Sequence, residues 1–259
     1  MISVEPIAAF SDNYIWCLID SESRRAAVVD PGDAAPVKAA LQQRQLSLQA
    51  ILITHHHFDH TGGITELLAD YPVAVYGPVS DNIPQITHPL REHDTLSLFG
   101  LEFSVLAIPG HTLDHIALYC DQSADGPLLF CGDTLFAGGC GRVFEGTAAM
   151  MLQSLNKLAA LPAATRVYCA HEYTLANLAF ADAVEPTNQR LQRRIERDSE
   201  LRQQDRPTLP STIADELHTN PFLRCGEDSV ISSARRHSGQ ACANPEQVFA
   251  VVRSWKDNF

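Results

Sequence analysis

The stretch Thr54-His55-His56-His57-Phe58-Asp59-His60 contains four candidate metal ligands, namely His55, His57, Asp59 and His60. If the chain is extended at its start, His55 and His57 point to one side and His56 to the other, because side chains alternate along a strand. Two imidazoles on one side can hold one divalent cation, and Asp59 and His60 can face a second after a bend. A polar surface loop is the alternative, but such a dense pattern of ligand types favours a metal site.

The histidine stretch lies between a predicted strand and a predicted helix. Upstream, Ala50–Ile53 is a short apolar run rich in β-branched residues, which predicts a buried strand. Downstream, Gly62-Gly63 precedes the helical pattern Ile64–Asp70. A loop at such a junction lies at the carboxyl edge of a sheet, the usual position of a site in α/β proteins.

On this stretch the chain resembles the metallo-β-lactamase superfamily, whose signature is Thr-His-x-His-x-Asp-His. The resemblance implies an α/β fold, the four-layer αββα sandwich in which two mixed sheets pack between helices, with the metals along one edge. A second loop, Pro109–His115, matches the family pattern Gly-His-Thr-x-Gly-His, except that Asp114 stands where Gly is usual.

Three further candidate ligands follow predicted strands: His111 after Glu102–Ile108, Asp133 after the run that starts at Leu128, and His171 at the end of Val167–Ala170. A carboxylate can bridge two cations with its two oxygens, which makes Asp133 the candidate for a shared ligand. The predicted sets are His55, His57, His111 and Asp133 for one metal, and Asp59, His60, His171 and Asp133 for the other. His56 is predicted to face away, and His115 to be packed or to support a ligand.

The pattern of the chain changes at Thr174, from where helical patterns dominate. Predicted helices cover Thr174–Val184, Gln189–Gln204, Thr212–Thr219 with Ser211 as N-cap, and a last segment from Pro245 to about Trp255 with Asn244 as N-cap. We therefore predict two domains: residues 1–173 as the metallo-β-lactamase-like catalytic domain, and residues 174–259 as a small helical substrate-binding domain.

The formal net charge of −12 is unevenly distributed. Residues 1–173 hold 8 Lys/Arg against 19 Asp/Glu, which gives −11, and residues 174–259 hold 11 against 12, which gives −1. Bound cations would offset part of the acidity of the first segment. The balance argues against nucleic acid or an anionic membrane as a partner.

The cysteines and the N-terminal residues bear on the compartment. The seven cysteines are odd in number and include no Cys-x-x-Cys, so we expect a reducing environment without a disulfide framework. The start Met1–Pro6 is unlike a signal peptide, and no apolar run approaches about 18 residues. We expect a cytoplasmic monomer.

Within the superfamily the chain most resembles glyoxalase II, the hydroxyacylglutathione hydrolases, over essentially its whole length. The segments that carry the resemblance are Thr54–Gly63, Pro109–Thr112, Gly132–Gly146, Ala170–Thr174, Asn220–Arg224 and Arg253–Lys256. The resemblance implies hydrolysis of glutathione thioesters, chiefly S-D-lactoylglutathione to D-lactate and glutathione in methylglyoxal degradation. It maps the glutathione-binding positions to Arg142, Phe144, Tyr173, Arg253 and Lys256. Arg142 replaces a frequent Lys, and Phe144 replaces a frequent Tyr.

The predicted chemistry is that of a metal-dependent thioester hydrolase. Two divalent cations that share an aspartate and a water provide hydroxide near neutral pH, and Asp59 would orient that hydroxide as well as bind metal. Zinc is the first candidate, with iron or manganese as alternatives. The alternative function is that of a persulfide dioxygenase with a single iron on the same scaffold. Cys140 is a further candidate nucleophile, but the sequence offers it no evident base.

Overall fold

The computed structural model describes residues 2–259, which form two six-stranded sheets, a short hairpin and nine α-helices. The strands are β1 (Ile2–Ala9), β2 (Asn13–Asp20), β3 (Arg25–Val29), β4 (Ser47–Leu52), β5 (Ala74–Pro78), β6 (His88–Leu90), β7 (Thr95–Leu98), β8 (Leu101–Ala107), β9 (Ile116–Cys120), β10 (Leu128–Gly132), β11 (Leu135–Phe136), β12 (Gly139–Cys140), β13 (Arg166–Cys169) and β14 (Ser211–Thr212). The helices are α1 (Ala34–Arg44), α2 (Phe58–Thr61), α3 (Ile64–Asp70), α4 (Ala148–Ala159), α5 (Thr174–Val184), α6 (Gln189–Gln203), α7 (Ile213–Thr219), α8 (Asp228–Ser238) and α9 (Pro245–Asp257).

Both large sheets are ordered so that the strands preceding the candidate ligands are interior. The first sheet has the order β1-β2-β3-β4-β5-β6, with antiparallel pairing up to β3 and parallel pairing from β3 to β6. The second has the order β14-β13-β10-β9-β8-β7. Strand β4 precedes the histidine stretch, and strand β10 precedes Asp133. An interior strand is held on both edges, so the residues that follow it have a fixed starting point.

The residues divide into two compact units, each assembled from several stretches. The first contains the residues up to Ala107, Asp114–Gly132 and Tyr168–His171, and the second contains Ile108–Leu113, Asp133–Val167 and Glu172–Phe259. The division of the chain into domains at residue 173 stays a prediction, because compactness and domain identity are different properties.

The core of the first unit forms where the first sheet packs against α1 and α3. Ile15 and Cys17 of β2, Ile51 of β4 and Ile53 just after β4 belong to one buried cluster. The helices contribute residues at helical spacing to the same cluster. These are Val37 and Leu41 on α1, and Ile64 and Leu67 on α3. The period of two in the strands and of nearly four in the helices makes these faces complementary.

The second unit is mainly helical. On α4, Met151, Leu155 and Leu158 recur at helical spacing and are buried on one face. A second apolar group joins Leu178 and Ala181 of α5 to Leu191 of α6. Among residues 2–259, none of the helices combines the length and the apolar composition of a transmembrane span.

Several predicted boundaries need correction. Thr212, and not Ser211, is the N-cap of α7, because its side chain accepts a hydrogen bond from the Asp215 amide while Ser211 pairs with Val167 in β14. The caps of α9 are as predicted: Asn244 accepts from the Gln247 amide and Pro245 is the first helical residue. Strand β6 and helices α2 and α8 were not predicted, since each is short or carries few apolar residues.

Candidate metal centre

The histidine stretch begins with a bend at Thr54 and His55, just after β4, and turns into helix α2. His57, with φ −59° and ψ 145°, is the N-cap of α2, so His55 and His57 precede the helix while Asp59 and His60 lie within it. This turn supplies the bend that the sequence predicts between the two ligand pairs. Because Asp59 and His60 lie in the helix, their side chains do not continue the alternation of a strand.

Glycines allow the turn that ends β3 to lie directly on the histidine stretch. A Cβ atom added to Gly32 would lie 1.8 Å from the Asp59 carbonyl oxygen, and one added to Gly63 would lie 2.5 Å from the Pro31 carbonyl oxygen. No larger residue fits at such distances without backbone movement. The Asp-Pro-Gly turn is therefore packed against the stretch backbone to backbone.

Asp30, in that turn, organises the start of the stretch. Its Oδ1 accepts from the Thr54 amide at 2.8 Å, and its Oδ2 accepts from the Thr54 hydroxyl at 2.7 Å. Oδ2 also lies 3.0 Å from Nδ1 of His60. Asp30 and His60 are both buried, and Asp30 has a φ of 54°, a left-handed value that is uncommon for a residue other than glycine.

Asp59, His60 and His171 form a compact group in the first unit. Their ligand atoms lie within 4.8 Å of one another, and Oδ2 of Asp59 is 3.4 Å from Nε2 of each histidine. Nδ1 of His171 donates to Oδ1 of Asp12 at 2.7 Å, and the Asn13 amide donates to Oδ2 of Asp59 at 2.9 Å. The residues Asp12 and Asn13 were not predicted as part of the site.

The electrostatics of this group keep Asp59 ionised. Burial raises the pKa of its carboxyl, but hydrogen bonds from His171 and His60 act in the opposite direction and, with Asn13, prevail. The pKa of Asp59 therefore lies well below its ordinary value. An ionised carboxylate between two imidazole nitrogens is a donor set suited to a divalent cation.

His55 and His57 form the second pair of the stretch. Nε2 of His55 lies 3.1 Å from Nδ1 of His57, and Nδ1 of His55 lies 3.1 Å from the Thr54 hydroxyl. The Thr54 hydroxyl has one proton, which goes to Asp30, so it accepts from Nδ1 of His55. That leaves Nε2 of His55 as a lone-pair donor, the form that binds metal.

The second unit holds the other two candidates, His111 and Asp133. Nε2 of His111 is 3.5 Å from Oδ2 of Asp133, and Nδ1 of His111 donates to the Arg142 carbonyl at 2.8 Å. The two ring nitrogens have different partners in each of four histidines. In His55, His60, His111 and His171, Nδ1 contacts a hydrogen-bonding group of the protein and Nε2 faces another candidate ligand. Such partners fix the tautomer and the ring orientation of metal-binding histidines.

The remaining residues of the two loops have other partners. Nδ1 of His56 is 3.0 Å from both carboxylate oxygens of Asp114, the residue that replaces the family's glycine. The ring of His115 stacks on His55 at 4.5 Å, and its Nδ1 donates to the Ile116 carbonyl, which confirms it as packed. Cys140 is buried, and burial raises the pKa of its thiol to about 11 despite Arg253, so it is no ready nucleophile.

All five predicted glutathione-binding residues lie in the second unit. Phe144 is 62% exposed with its ring 5.3 Å from that of His111, and Tyr173 is 38% exposed with its ring edge-on to Phe136. Nζ of Lys256 donates to the Ala176 carbonyl at 3.3 Å.

The cations of this set lie close together. Burial lowers the pKa of Lys256, and the charges of Arg253 and Arg142 lower it further. Arg253 is buried and donates to the Cys140 carbonyl at 2.8 Å and to Asp257 at 3.0 Å. Asp257 also lies 3.8 Å from Nε of Arg142. The prediction did not include Asp257, although its position one residue after Lys256 was visible in the sequence.

The chain is similar to proteins of known family over nearly its whole length. Residues 16–171 match the model of the metallo-beta-lactamase superfamily, and residues 172–259 match that of the hydroxyacylglutathione hydrolase C-terminus. The chain is 56% identical to the hydroxyacylglutathione hydrolase of Alkalilimnicola ehrlichii, with 99% of each chain covered, and 55% identical to that of Pseudomonas paraeruginosa, with 100% of each covered.

A solved structure supports the fold. The crystal structure of ETHE1 from Myxococcus xanthus has a TM-score of 0.66 and 24% sequence identity, and covers 99% of this chain and 98% of its own. At that identity the likeness shows the fold alone. The predicted fold class is confirmed, and the superfamily match together with the His/Asp groups indicates divalent metal ions as cofactors. The chain therefore belongs to the hydroxyacylglutathione hydrolase family, a family of hydrolases within the metallo-β-lactamase superfamily.

Proposed function

We propose that the protein hydrolyses glutathione thioesters, chiefly S-D-lactoylglutathione, to D-lactate and glutathione. The observation that carries this proposal is the identity of 51–56% over essentially full length with relatives named hydroxyacylglutathione hydrolase. The local charge supports it as well. Arg142, Arg253 and Lys256 are cations grouped in a protein of net charge −12, and glutathione carries two carboxylates.

The metal-binding residues of this proposal are the seven predicted ones. His55, His57, His111 and Asp133 would hold one ion, and Asp59, His60, His171 and Asp133 the other. Imidazole and carboxylate donors suit zinc, with iron or manganese as alternatives, and the Nδ1 partners of four histidines fit a metal-binding role. When bound, two such ions lower the pKa of a water molecule and polarise a carbonyl oxygen.

The side chains then orient the reactants. Asp59, held by Asn13 and kept ionised by its neighbours, can accept a hydrogen bond from the attacking water and fix its direction. The leaving group is a thiolate, whose conjugate acid has a pKa of about 8.5, so it departs with little need for protonation. The absence of a dedicated general acid from the predicted set is consistent with a thioester substrate.

The substrate-binding residues stay as proposed, with a division of roles. Arg142 is the exposed cation and Lys256 the half-buried cation that can meet the carboxylates of glutathione, and Tyr173 and Phe144 offer exposed rings. Arg253 is more deeply buried and already donates to protein oxygens, so part of its contribution is structural. We propose a monomer that acts in the cytoplasm on this small-molecule substrate.

The test is to replace the binding cations and compare two substrates. Each charge-assisted hydrogen bond contributes about 1.5–3 kcal/mol, or about tenfold to a hundredfold in affinity, and solvent exposure moves the value to the low end. We expect Lys256→Ala and Arg142→Ala to raise KM for lactoylglutathione about tenfold with little change in kcat. A small thioester without the glutathione moiety should be hydrolysed as by the wild type.

Arg193→Ala is the matched control, because Arg193 is an exposed arginine of α6 outside the proposed site. Arg193→Ala should leave KM and kcat unchanged for both substrates. Equal losses on the two thioesters in Lys256→Ala and Arg142→Ala would refute glutathione recognition by these residues. A wild-type enzyme with one iron that oxidises a persulfide and leaves thioesters intact would establish the dioxygenase alternative instead.

A further inference from the structure

The hairpin of β11 and β12 is held by side chains of the C-terminal helical segment. Five hydrogen bonds join these side chains to the backbone of residues 136–140. These contacts are Asn220 Nδ2 to the carbonyls of Phe136 (3.2 Å) and Gly139 (2.8 Å), Asn177 Nδ2 to that of Ala137 (3.1 Å), Arg253 to that of Cys140 (2.8 Å), and the Gly138 amide to Glu216 Oε2 (2.8 Å). Side chains of the C-terminal segment thus form hydrogen bonds with both strands of the hairpin and with its turn.

Asn220 is the central member of this group. Its Nδ2 contacts Phe136 on β11 and Gly139 on β12, so one nitrogen joins the two strands. Its Oδ1 accepts from the Phe222 amide at 3.1 Å, which fixes the end of the amide that faces the hairpin. Asn220 has no exposed surface, so the carbonyls that it contacts would be left unsatisfied and buried if its amide were removed, which is unfavourable.

The anchoring group is buried and balanced in charge. Glu216 is fully buried, and its Oε1 accepts from Arg194 at 2.7 Å while Oε2 accepts from Asn220 at 3.0 Å. A charged group with these partners can be buried without an isolated charge. None of Asn220, Asn177 and Glu216 belongs to the proposed metal or substrate residues.

The hairpin needs such anchors because it is too small to hold its own position. Its strands have two residues each, and an isolated two-stranded hairpin is at best marginally stable in water. Leu135 pairs with Cys140 and Phe136 with Gly139, and the intervening turn contains Gly138 with a φ of 69°. External hydrogen bonds therefore decide where the hairpin lies.

The base of the hairpin carries residues of the proposed reaction. Asp133 lies two residues before β11 and Arg142 two residues after β12. The Arg142 carbonyl accepts from Nδ1 of His111, and a Cβ atom added to Gly141 would lie 2.0 Å from the Asp133 carbonyl oxygen. A shift of the hairpin would consequently move Asp133 and the support of His111 together.

We propose that Asn220 is a positioning residue of this enzyme, which acts through the hairpin on Asp133 and His111. The inference rests on the proposed function for its kinetic part. It assigns a role in metal binding and turnover to a C-terminal segment, Asn220–Arg224, that the sequence comparison ties to the family but that touches none of the proposed ligands. A displacement of about 1 Å caused by a change far from the reacting atoms can lower turnover about a hundredfold.

The experiment measures metal affinity by chelator competition and kcat for two thioesters in Asn220→Ala. We expect metal affinity and kcat to fall about tenfold to a hundredfold, with kcat reduced by the same factor for lactoylglutathione and for a small thioester. A residue that only bound glutathione would affect the first substrate alone. A residue that only supported folding would lower Tm and leave the folded enzyme unchanged.

Asn188→Ala is the matched control. Asn188 is also a capping asparagine of the second unit, with its Nδ2 donating to the His218 carbonyl, but it makes no contact with the hairpin. Asn188→Ala should lower Tm through the loss of a helix cap and leave metal affinity and kcat unchanged. If Asn220→Ala behaves like this control, the proposal is overturned.

A milder variant keeps the test decisive if Asn220→Ala does not fold. Asn177→Ala removes a single hydrogen bond at the hairpin turn and should lower metal affinity and both kcat values in the same direction by a smaller factor. Unchanged metal affinity and kcat there would also overturn the proposal. Failure of the wild type to hydrolyse glutathione thioesters would refute the proposed function, while the metal-affinity comparison would still decide the role of Asn220.

Discussion

Single carboxylates set the direction of the proposed histidine ligands. Asp30 contacts Nδ1 of His60 and accepts from the amide and the hydroxyl of Thr54, and Asp12 accepts from Nδ1 of His171. Each carboxylate stabilises the tautomer in which Nε2 carries the lone pair. The neutral, oriented imidazole is then available to a metal without further rearrangement.

Replacing Asp12 should weaken metal binding. Partners of this kind typically contribute about tenfold to a hundredfold in metal affinity or activity. We expect Asp12→Ala to lower metal affinity in that range, as measured by competition with a chromophoric chelator. Asp12→Asn, which keeps an acceptor oxygen, should lose less. Ser11→Ala is the control, since Ser11 contacts only the other oxygen of Asp12. Equal affinities in Asp12→Ala and the wild type would remove this role from Asp12.

The ligand types were accessible from the sequence and their partners were not. His55, His57, Asp59 and His60 are close in the chain, so their spacing alone indicated one site. Asp12 and His171 are 159 residues apart, and nothing local in either segment reports on the other. Such pairs depend on which strands become neighbours, which is a property of the whole sheet.

Among the elements, the glycine-rich segment Gly132–Gly146 is held in place by hydrogen bonds from side chains elsewhere in the chain. The backbone of this segment approaches its neighbours closely at Gly141 and at Gly139, whose added Cβ would lie 2.6 Å from Asn177. The hairpin of residues 135–140 could not be predicted, because strands of two residues are too short to show a hydrophobic period. Helix α8 was missed for a related reason, since only Val230, Ser233 and Ala234 are buried on it.

Adding one methyl group at Gly141 should disturb this element. The new Cβ would lie 2.0 Å from the Asp133 carbonyl oxygen and 3.0 Å from Nδ1 of His111, so the backbone must move. We expect Gly141→Ala to lower the free energy of unfolding by about 1–3 kcal/mol or more in chemical denaturation. Gly226→Ala, where nothing lies within 4 Å of the added Cβ, should stay within about 0.5 kcal/mol of the wild type. Similar stabilities of the two variants would contradict the packing described here.

At the scale of the whole molecule, the acidity of the chain and its metal site belong together. Residues 1–173 carry a formal charge of −11, and that segment includes all seven proposed ligands. Bound divalent cations reduce the repulsion among those carboxylates and bind the folded state in preference to the unfolded one. Metal binding should therefore contribute to global stability and not only to activity.

Removing the metal should lower the melting temperature reversibly. A ligand at a hundred times its Kd stabilises the folded state by about 2.7 kcal/mol. For a chain of this size 1 kcal/mol corresponds to about 2–4 °C, so we expect Tm to fall by about 5–10 °C after chelation and to recover when zinc is restored. Asp133→Ala, which lacks the proposed shared ligand, should show a smaller shift between its chelated and zinc-loaded forms. The measurement is differential scanning calorimetry of each form at one protein concentration, and equal Tm values for loaded and chelated wild type would show that the seven residues hold no ion tightly in the folded state.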